Sequence, residues 1–296
     1  MVKLLDGVEA SKSLRAQVAE GVLEMQRKHG ITPGLAAVLV GDDPASAVYV
    51  RNKERACAEV GILSQVFRLE QDATEEDLLD TVAQLNVDDR FQGILVQLPL
   101  PASMDPLRII ESLDPLKDVD GIHPANLGRL VGGTPRFVPC TPAGVQQLLL
   151  HNGYDPSGKN VVICGRSQIV GLPLAQLLMQ KREGANATVT VCHTGTEDLP
   201  SNTRRADIVV AAMGRAGAIT ADMVSPGSVV VDVGVNRVPD PGSKRGYRLA
   251  GDVDFKGVSE KVEAISPVPG GVGPMTITML LANTLTAARY SIHGSP

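Results

Sequence analysis

Short apolar segments that alternate with helical segments constrain this chain more than any other feature of its sequence. The candidate strands contain few polar residues, so each is apolar on both faces rather than on one. Such strands, separated by helices, are typical of parallel sheets that are covered by helices on both sides. We therefore predict an α/β protein, with strands near residues 35–40, 66–69, 93–98, 161–164, 188–192, 207–212 and 229–233.

Composition and charge exclude several classes of protein. A net charge of −5 without a basic cluster, and only four tyrosines and four phenylalanines, disfavour binding to nucleic acid. The sequence has no run of 18 apolar residues and no signal peptide, so neither membrane insertion nor export is expected. The four cysteines lack metal-ligand spacing, which predicts reduced core thiols, no metal site and a cytoplasmic protein: Cys57, Cys140, Cys164 and Cys192.

The stretch from Val161 to Pro173 is predicted to be a strand, a tight turn and the start of a helix. A dinucleotide pyrophosphate binds such a turn, where backbone N–H groups and the positive end of a helix meet it. The glycine pattern departs from the usual fingerprint, because Ser167 holds the middle position and Gly171 lies further on. The same glycine also suits a turn with no ligand, so the pattern alone leaves both readings open.

The ends of the following strands favour a cofactor. No carboxylate stands at the strand end Cys192-His193-Thr194, where a site for NAD usually places one on the ribose hydroxyl. Arg166 and the Thr194 hydroxyl instead offer partners for a 2′-phosphate, which favours NADP. Later strands end at Met213-Gly214 and Gly234-Val235-Asn236, where glycine lets the backbone approach a ligand.

These segments divide the chain into two lobes, which suits its 296 residues. A helix near residues 141–152 follows a proline-rich stretch and is predicted to bridge the lobes, and a last helix near residues 275–290 is predicted to return to the first lobe. We predict an N-terminal α/β substrate domain of residues 1–140 and 275–296, completed by the C-terminal helix. Residues 141–274 are predicted to form a Rossmann-like, doubly wound cofactor domain.

A helix of the first lobe places a lysine on its apolar side. Asp43 is a suitable N-cap for a helix that begins at Pro44 and runs to about Gly61. Residues three and four apart share a face, which aligns Lys53 with an apolar stripe of Tyr49, Ala56, Cys57 and Val60. A lysine there either extends to water or holds its ammonium in a partly dry cleft, where its pKa falls. The helix alone favours the first of these readings.

Two further polar segments of this lobe are unremarkable when each is taken alone. Gln97 follows a strand, so its amide is expected at the carboxyl edge of the sheet, although it could simply cap the strand end. Asp120-Gly121 is the usual sequence of an Asx turn, and Asp118 is expected to be a solvated partner of Lys117.

Taken together and in order, these segments resemble the methylenetetrahydrofolate dehydrogenase/methenyltetrahydrofolate cyclohydrolase family, and the resemblance covers essentially the whole chain. It rests on Tyr49-Val50-x-x-Lys53, Gln97-Leu98-Pro99-Leu100-Pro101, Lys117-Asp118-Val119-Asp120-Gly121, Gly165-Arg166-Ser167-x-x-Val170-Gly171-x-Pro173 and Pro269-Gly270-Gly271-Val272-Gly273-Pro274-Met275-Thr276. The chain looks like a bacterial-type bifunctional member.

The resemblance implies an enzyme that uses NADP to oxidise 5,10-methylenetetrahydrofolate to the methenyl compound and then hydrolyses it to 10-formyltetrahydrofolate. Family members are typically homodimers. The resemblance makes Lys53 the catalytic lysine, assisted by Gln97; Tyr49 would pack near the aminobenzoyl ring of the folate, and Asp120 would anchor the pterin. It assigns these residues to the cofactor: Gly165, Arg166, Ser167, Thr194 and Val235. Thr194 stands where serine is usual in the family: its methyl group could crowd a 2′-phosphate, while its hydroxyl remains available to it.

Two alternatives remain at the level of sequence. The chain could be another two-lobe NAD(P)-dependent dehydrogenase, in which Lys53 polarises a carbonyl, although such substrates have no pterin for Asp120 to anchor. It could also be a nucleotide-binding protein without turnover, but such a protein would need neither Lys53 nor Gln97.

Overall fold

The secondary structure follows the predicted alternation of strands and helices in the computed structural model, which describes residues 2–243 and 246–293. The strands are β1 (Lys3–Leu4), β2 (Gly34–Val40), β3 (Leu63–Leu69), β4 (Gly93–Val96), β5 (Asn160–Cys164), β6 (Thr188–Cys192), β7 (Ile208–Ala211), β8 (Val229–Asp232), β9 (Asn236–Pro239), β10 (Tyr247–Ala250) and β11 (Ala264–Ile265). The helices are α1 (Gly7–His29), α2 (Pro44–Val60), α3 (Glu75–Asn86), α4 (Pro106–Ser112), α5 (Pro124–Val131), α6 (Cys140–His151), α7 (Gly171–Leu178), α8 (Leu199–Arg204), α9 (Phe255–Ser259) and α10 (Val272–His293). Across residues 2–243 and 246–293, every helix is too short or too polar to cross a membrane.

The chain divides into two compact α/β units, as predicted. The six-stranded unit contains Thr141–Thr276 and the N-terminal segment up to Lys12. The three-stranded unit contains Ser13–Cys140 and the C-terminal segment from Ile277. Each unit has its own apolar core.

The six-stranded unit is built on a parallel sheet with the strand order β1-β11-β8-β7-β5-β6. From β5 the chain passes through α7 to β6 on one side of β5, and it then crosses to β7 on the other side. The sheet is therefore doubly wound, and its topological switch point lies between β5 and β7. Ligands of such sheets bind at the carboxyl ends of the strands beside the switch point.

The N-terminal segment lies in a different unit from the one that the sequence predicts. Residues 1–12 were expected in the domain of residues 1–140, but β1 pairs in parallel with β11 through Lys3 opposite Ala264 and Leu4 opposite Ile265. Gly7 N–H also donates to Gly270 O at 2.8 Å. A strand of two residues has too little sequence pattern to be recognised, since the pairing partner is distant in the chain.

The three-stranded unit contains a parallel sheet in the order β3-β2-β4. Every residue of the central strand β2 is buried, as expected for a strand that is covered on both faces. Helices α1 and α10 cover one face, and α10 thereby completes this unit as the sequence predicts. Their contacts form one apolar cluster that includes Val18, Val22, Leu35, Ala37, Leu281 and Leu285.

Helix α2 has the predicted ends but a slightly different buried face. The Asp43 carboxylate accepts from Ser46 N–H at 2.8 Å, and Gly61 ends the helix in the left-handed conformation at φ +81°. Cys57 is buried, but Tyr49 is 40% exposed and Val50 is fully buried in its place. The buried stripe therefore keeps Ala56, Cys57 and Val60 and gains Val50, while Tyr49 borders it instead of lying within it.

Candidate functional site

Lys53 and Gln97 come together in the three-stranded unit, as the sequence predicts. Lys53 projects from the middle of α2, and Gln97 immediately follows β4 at the carboxyl edge of the sheet. Lys53 Nζ donates a hydrogen bond of 3.0 Å to Gln97 Oε1. Gln97 Nε2 in turn donates to Leu98 O at 2.6 Å, which fixes the orientation of the amide. The oxygen of Gln97 therefore faces the lysine, and both side chains are partly buried.

Burial lowers the pKa of Lys53 below its usual value, because an ammonium is stabilised less in a dry environment than in water. The negative charge of Asp120 opposes this shift. The neighbouring thiols add little opposing charge at neutral pH, since burial raises the pKa of Cys57 to about 11 and that of Cys140 well above its usual value. Lys53 is thus easier to deprotonate than a lysine in water, and its partial burial favours the partly dry position over an extension to water.

The loop that carries Asp120 is organised by Asp118. The Asp118 carboxylate is fully buried and accepts from the backbone N–H groups of Gly121 and His123 at 3.1 and 2.8 Å. The Asn126 amide donates to it at 2.8 Å. Burial raises the pKa of Asp118, while these donors favour its charged form. The expectation of a solvated partner for Lys117 is wrong, because a turn of backbone N–H groups replaces the water.

Asn283 of α10 holds the same loop from the other side. Its Nδ2 donates to Val119 O at 2.9 Å and to Val138 O at 3.0 Å. Cys140 N–H donates to Asp120 O at 3.2 Å, so the start of α6 is also tied to the Asp120 loop. One amide group therefore links two loop segments that precede and follow α5.

In the six-stranded unit, Gly165 directly follows β5 at the switch point. It has φ +137°, and a Cβ atom at this position would lie 2.1 Å from Ala212 O, at the end of β7. A Cβ atom on Gly171 would lie 2.1 Å from Gly165 O. Both glycines are needed for close packing of the turn, the neighbouring strand and α7, which is the arrangement that the sequence predicts for a dinucleotide site.

The side chains around this turn fit a phosphorylated dinucleotide. Arg166, Ser167 and Thr194 are all exposed at or near the carboxyl ends of the adjacent strands β5 and β6. Ser167 Oγ accepts from Val170 N–H at 3.2 Å, so its own O–H proton remains available to a ligand oxygen. The Arg166 guanidinium and the Thr194 hydroxyl can donate to a 2′-phosphate, and the Ser167 hydroxyl can donate to a pyrophosphate. Val235, the remaining predicted cofactor residue, follows β8 and is 48% exposed.

Sequence reasoning missed two carboxylates beneath these loops. Asp232 and Asp252 are 3% and 0% exposed, and both accept hydrogen bonds from the backbone of the loops that contain Gly214 and Gly234. Burial raises the pKa of Asp232 to about 6, although backbone N–H donors partly oppose the shift. The one available signal was that each aspartate has a glycine close to it in sequence, at positions 234 and 251.

Comparison with known proteins identifies the family. A family model described as the catalytic domain of tetrahydrofolate dehydrogenase/cyclohydrolase matches residues 5–120, and one described as its NAD(P)-binding domain matches residues 139–292. The bifunctional protein FolD of Chlorobium phaeobacteroides is 51% identical over 290 residues, which are 97% of this chain and 98% of that protein.

Solved structures agree with this match over the whole length of the chain. The bifunctional FolD enzyme of Campylobacter jejuni is 46% identical with a TM-score of 0.91, over 98% of this chain and 100% of that one. FolD of Trypanosoma brucei, solved with NADP cofactor and an inhibitor, is 38% identical with a TM-score of 0.93, over 98% of both chains. This protein therefore belongs to the tetrahydrofolate dehydrogenase/cyclohydrolase family.

Proposed function

We propose that this protein oxidises 5,10-methylenetetrahydrofolate to 5,10-methenyltetrahydrofolate with NADP and then hydrolyses the product to 10-formyltetrahydrofolate. The observation that carries the proposal is the hydrogen bond between Lys53 and Gln97 beside Asp120, in a chain of this family. Neither a general dehydrogenase nor a nucleotide-binding protein without turnover accounts for this arrangement. We assign the folate site to the three-stranded unit and the dinucleotide site to the six-stranded unit.

The folate roles follow from the chemistry of each side chain. The carboxylate of Asp120 can accept two parallel hydrogen bonds from the amino group and ring N–H of a pterin, as carboxylates do with arginine. Tyr49 lies one turn before Lys53 and is 40% exposed, and its ring would pack against the aminobenzoyl group. These two contacts would set the one-carbon bridge of the folate against Lys53.

The oxidation step depends on positioning. NADP, when bound, supplies the acceptor for the hydride that leaves the one-carbon bridge. The protein's contribution is to hold the folate in one orientation, and no side chain has to gain or lose a proton. A neutral Lys53 suits this step, since it does not repel the positive charge that develops on the bridge.

The hydrolysis step needs a base. Water attacks the cationic carbon of the methenyl bridge, its oxygen forms the new bond to that carbon, and its proton passes to the neutral amine of Lys53. The Lys53 ammonium then returns its proton to the pterin-ring nitrogen, the bond between that nitrogen and the carbon breaks, and the new hydroxyl loses its proton to water, which leaves the formyl group on the other nitrogen. Gln97 holds the amine through a neutral oxygen, so it orients Lys53 without adding a charge that would raise its pKa.

The cofactor residues would act through hydrogen bonds and charge. Gly165 and Ser167 form the turn that faces a pyrophosphate, while Arg166 and Thr194 would bind the 2′-phosphate that distinguishes NADP from NAD. Val235 would contact the cofactor from the end of β8. The exposed guanidinium of Arg166 and the exposed hydroxyl of Thr194 support NADP as the preferred dinucleotide.

We further propose that the protein is a homodimer in the cytoplasm. Within residues 2–243 and 246–293, no strand pairs with the outer edge of β3, and Leu63 at its start is 46% exposed. An open parallel edge of this length is a surface that a second copy can cover. The cysteines are four buried free thiols, which is typical of a reducing compartment. Sedimentation should give twice the chain mass of 31.1 kDa, and a monomer mass would contradict the dimer.

Incubation of the purified protein with 5,10-methylenetetrahydrofolate and NADP, and separately with NAD, tests the activity. Reduction of NADP that depends on the folate, together with hydrolysis of added 5,10-methenyltetrahydrofolate in the absence of cofactor, is expected. No reduction of either dinucleotide would contradict the proposed function.

A further inference from the structure

Two buried carboxylates lie beneath the carboxyl edge of the six-stranded sheet, and the proposed reaction uses neither. Asp232 is the last residue of β8, and Asp252 follows β10. Among the ion pairs of residues 2–243 and 246–293, neither aspartate has a lysine or arginine partner. Burying a carboxylate without a cation is costly, and it persists only where hydrogen bonds replace water. Such groups often mark functional regions.

The Asp252 carboxylate joins two loops that end neighbouring strands. It accepts from the backbone N–H groups of Met213 and Gly214, which follow β7, with the second bond at 2.8 Å. Its other oxygen accepts from Asn236 Nδ2 at 2.8 Å, at the point where the chain leaves β8 for β9. One side chain therefore sets the spacing between the ends of β7 and β8.

The Asp232 carboxylate fixes the segment that carries Asp252. It accepts from the backbone N–H groups of Asp252 and Val253 at 2.9 and 3.0 Å, and from that of Gly234 at 3.0 Å. The two aspartates thus act in series: Asp232 holds the backbone of residue 252, and the side chain of residue 252 holds the loop after β7.

Two glycines provide the space that these carboxylates occupy. A Cβ atom on Gly234 would lie 2.2 Å from Asp252 Oδ1, and one on Gly251 would lie 1.8 Å from Asp232 Oδ2. Neither position has a left-handed backbone conformation, so the requirement for glycine is one of space. Each buried aspartate therefore has its own glycine: Gly234 leaves room for Asp252, and Gly251 leaves room for Asp232.

The loops that this network holds lie where a doubly wound sheet binds its ligand. Met213 and Gly214 follow β7, which borders the switch point with β5. Val235, an assigned cofactor residue, lies between Gly234, whose backbone N–H donates to Asp232, and Asn236, whose side-chain amide donates to Asp252. We propose that Asp232 and Asp252 are positioning residues that set the shape of the loops at residues 213–214 and 234–236, and through them the affinity for the dinucleotide. The inference rests on the proposed function, since it assumes that NADP binds at this edge.

The variant Asp252→Asn tests this inference with almost no change in volume. One oxygen of the carboxylate becomes an NH₂ group, which cannot accept from the donors around it. We expect the dissociation constant of NADP, measured by calorimetry, to rise roughly tenfold, or about 1.4 kcal/mol. The KM for NADP should rise in parallel, while hydrolysis of added 5,10-methenyltetrahydrofolate without cofactor should stay at the wild-type rate.

Two further variants keep the test decisive if Asp252→Asn folds poorly. Asn236→Ala removes one donor and keeps both carboxylates. We expect the dissociation constant of NADP to rise roughly threefold, which is less than half the loss of binding free energy expected for Asp252→Asn. Asp207→Asn is the matched control: this carboxylate accepts from Asn160 N–H at 2.8 Å at the opposite edge of the same sheet. NADP should bind Asp207→Asn as it binds the wild type.

The outcomes separate this inference from the proposed function. A wild-type protein that binds no NADP would contradict both. Wild-type binding with unchanged dissociation constants in Asp252→Asn and Asn236→Ala would overturn the inference alone. If Asp252→Asn lowered the affinity for NADP and the rate of hydrolysis without cofactor by the same factor, the inference would also be overturned. The network would then stabilise the protein as a whole and not the cofactor loops in particular.

Discussion

Lys53 Nζ and Gln97 Oε1 lie 3.0 Å apart, and they bring together positions that are 44 residues apart in the chain. The partner of the lysine is a neutral amide and not a carboxylate. A carboxylate at this distance would favour the ammonium and raise the pKa of Lys53, whereas the amide leaves the effect of burial largely intact. The pair therefore keeps a lysine in place and ready to lose its proton.

Gln97→Glu should move the rising limb of the pH–rate profile for hydrolysis to higher pH. Hydrolysis requires neutral Lys53, so the rate increases as pH rises through the pKa of this lysine, and a new negative charge raises that pKa. The measurement is the rate of 5,10-methenyltetrahydrofolate hydrolysis against pH, after subtraction of the uncatalysed rate. Gln84→Glu, which adds the same charge at an exposed position of α3, should leave the profile unchanged. A profile that did not move in Gln97→Glu would mean that Lys53 is not the titrating base.

Asp120→Asn should weaken folate binding and shift the same profile in the opposite direction. Loss of a charge-assisted hydrogen bond of about 1.5–3 kcal/mol predicts a KM for folate that is higher by roughly ten- to a hundredfold. Removal of the charge that opposes burial lowers the pKa of Lys53 further, so at saturating folate the rising limb should appear at lower pH. Asp89→Asn, an exposed substitution in the same unit, is the control. An unchanged KM for folate would remove Asp120 from the pterin site.

Arg166→Ala should weaken NADP much more than NAD. The guanidinium is exposed at the switch point, and its loss removes about 1.5–3 kcal/mol of interaction with a 2′-phosphate that only NADP carries. The ratio of the two dissociation constants, measured by calorimetry, should therefore change by roughly ten- to a hundredfold. Arg182→Ala, in the turn before β6 and hence toward the opposite edge, should not change the ratio. Equal weakening of both dinucleotides would exclude Arg166 from recognition of the 2′-phosphate.

Asn283→Ala should lower the free energy of unfolding and raise the KM for folate. The substitution removes the amide that donates to Val119 O and Val138 O. Loss of a buried hydrogen bond costs about 1–3 kcal/mol, although the Cys140 thiol still donates to Val119 O at 3.3 Å. Urea unfolding measures the first effect, and dehydrogenase kinetics at varied folate measure the second. Thr286→Ala removes only a hydrogen bond to Ala282 O within α10, so the KM for folate should stay the same. A folate KM equal to that of the wild type in Asn283→Ala would show that the loop keeps its shape without this amide.

The sequence predicted the parts of the fold that depend on local pattern. Buried parallel strands such as β2 are continuous apolar runs, and the ends of α2 have unambiguous capping residues, so both were located to within a residue or two. The position of Gln97 at the carboxyl edge of the sheet could be expected from the end of β4, whereas its pairing with Lys53 of α2 was expected only from the family resemblance. The family resemblance supplied the roles, which no spacing rule could give.

The remaining features depend on contacts between distant segments. β1 is two residues long, and only its pairing with β11 makes it a strand. Asp118 was expected to be solvated and Asp252 drew no prediction, because a sequence does not show that backbone N–H groups converge on a carboxylate. Asn283 lies on an apolar helix, where its amide gives no local sign of the carbonyl groups that it binds.

The product ratio of Lys53→Met tests the central claim most directly. Methionine keeps most of the length of the lysine side chain but has no base, so oxidation should continue while hydrolysis stops. With 5,10-methylenetetrahydrofolate and NADP, reduced cofactor and the methenyl compound should therefore accumulate in equal amounts, whereas the wild type should accumulate little of the methenyl compound. Arg55→Met, an exposed change on the same helix, should behave as the wild type. Clearance of the methenyl compound by Lys53→Met at the wild-type rate would contradict the account.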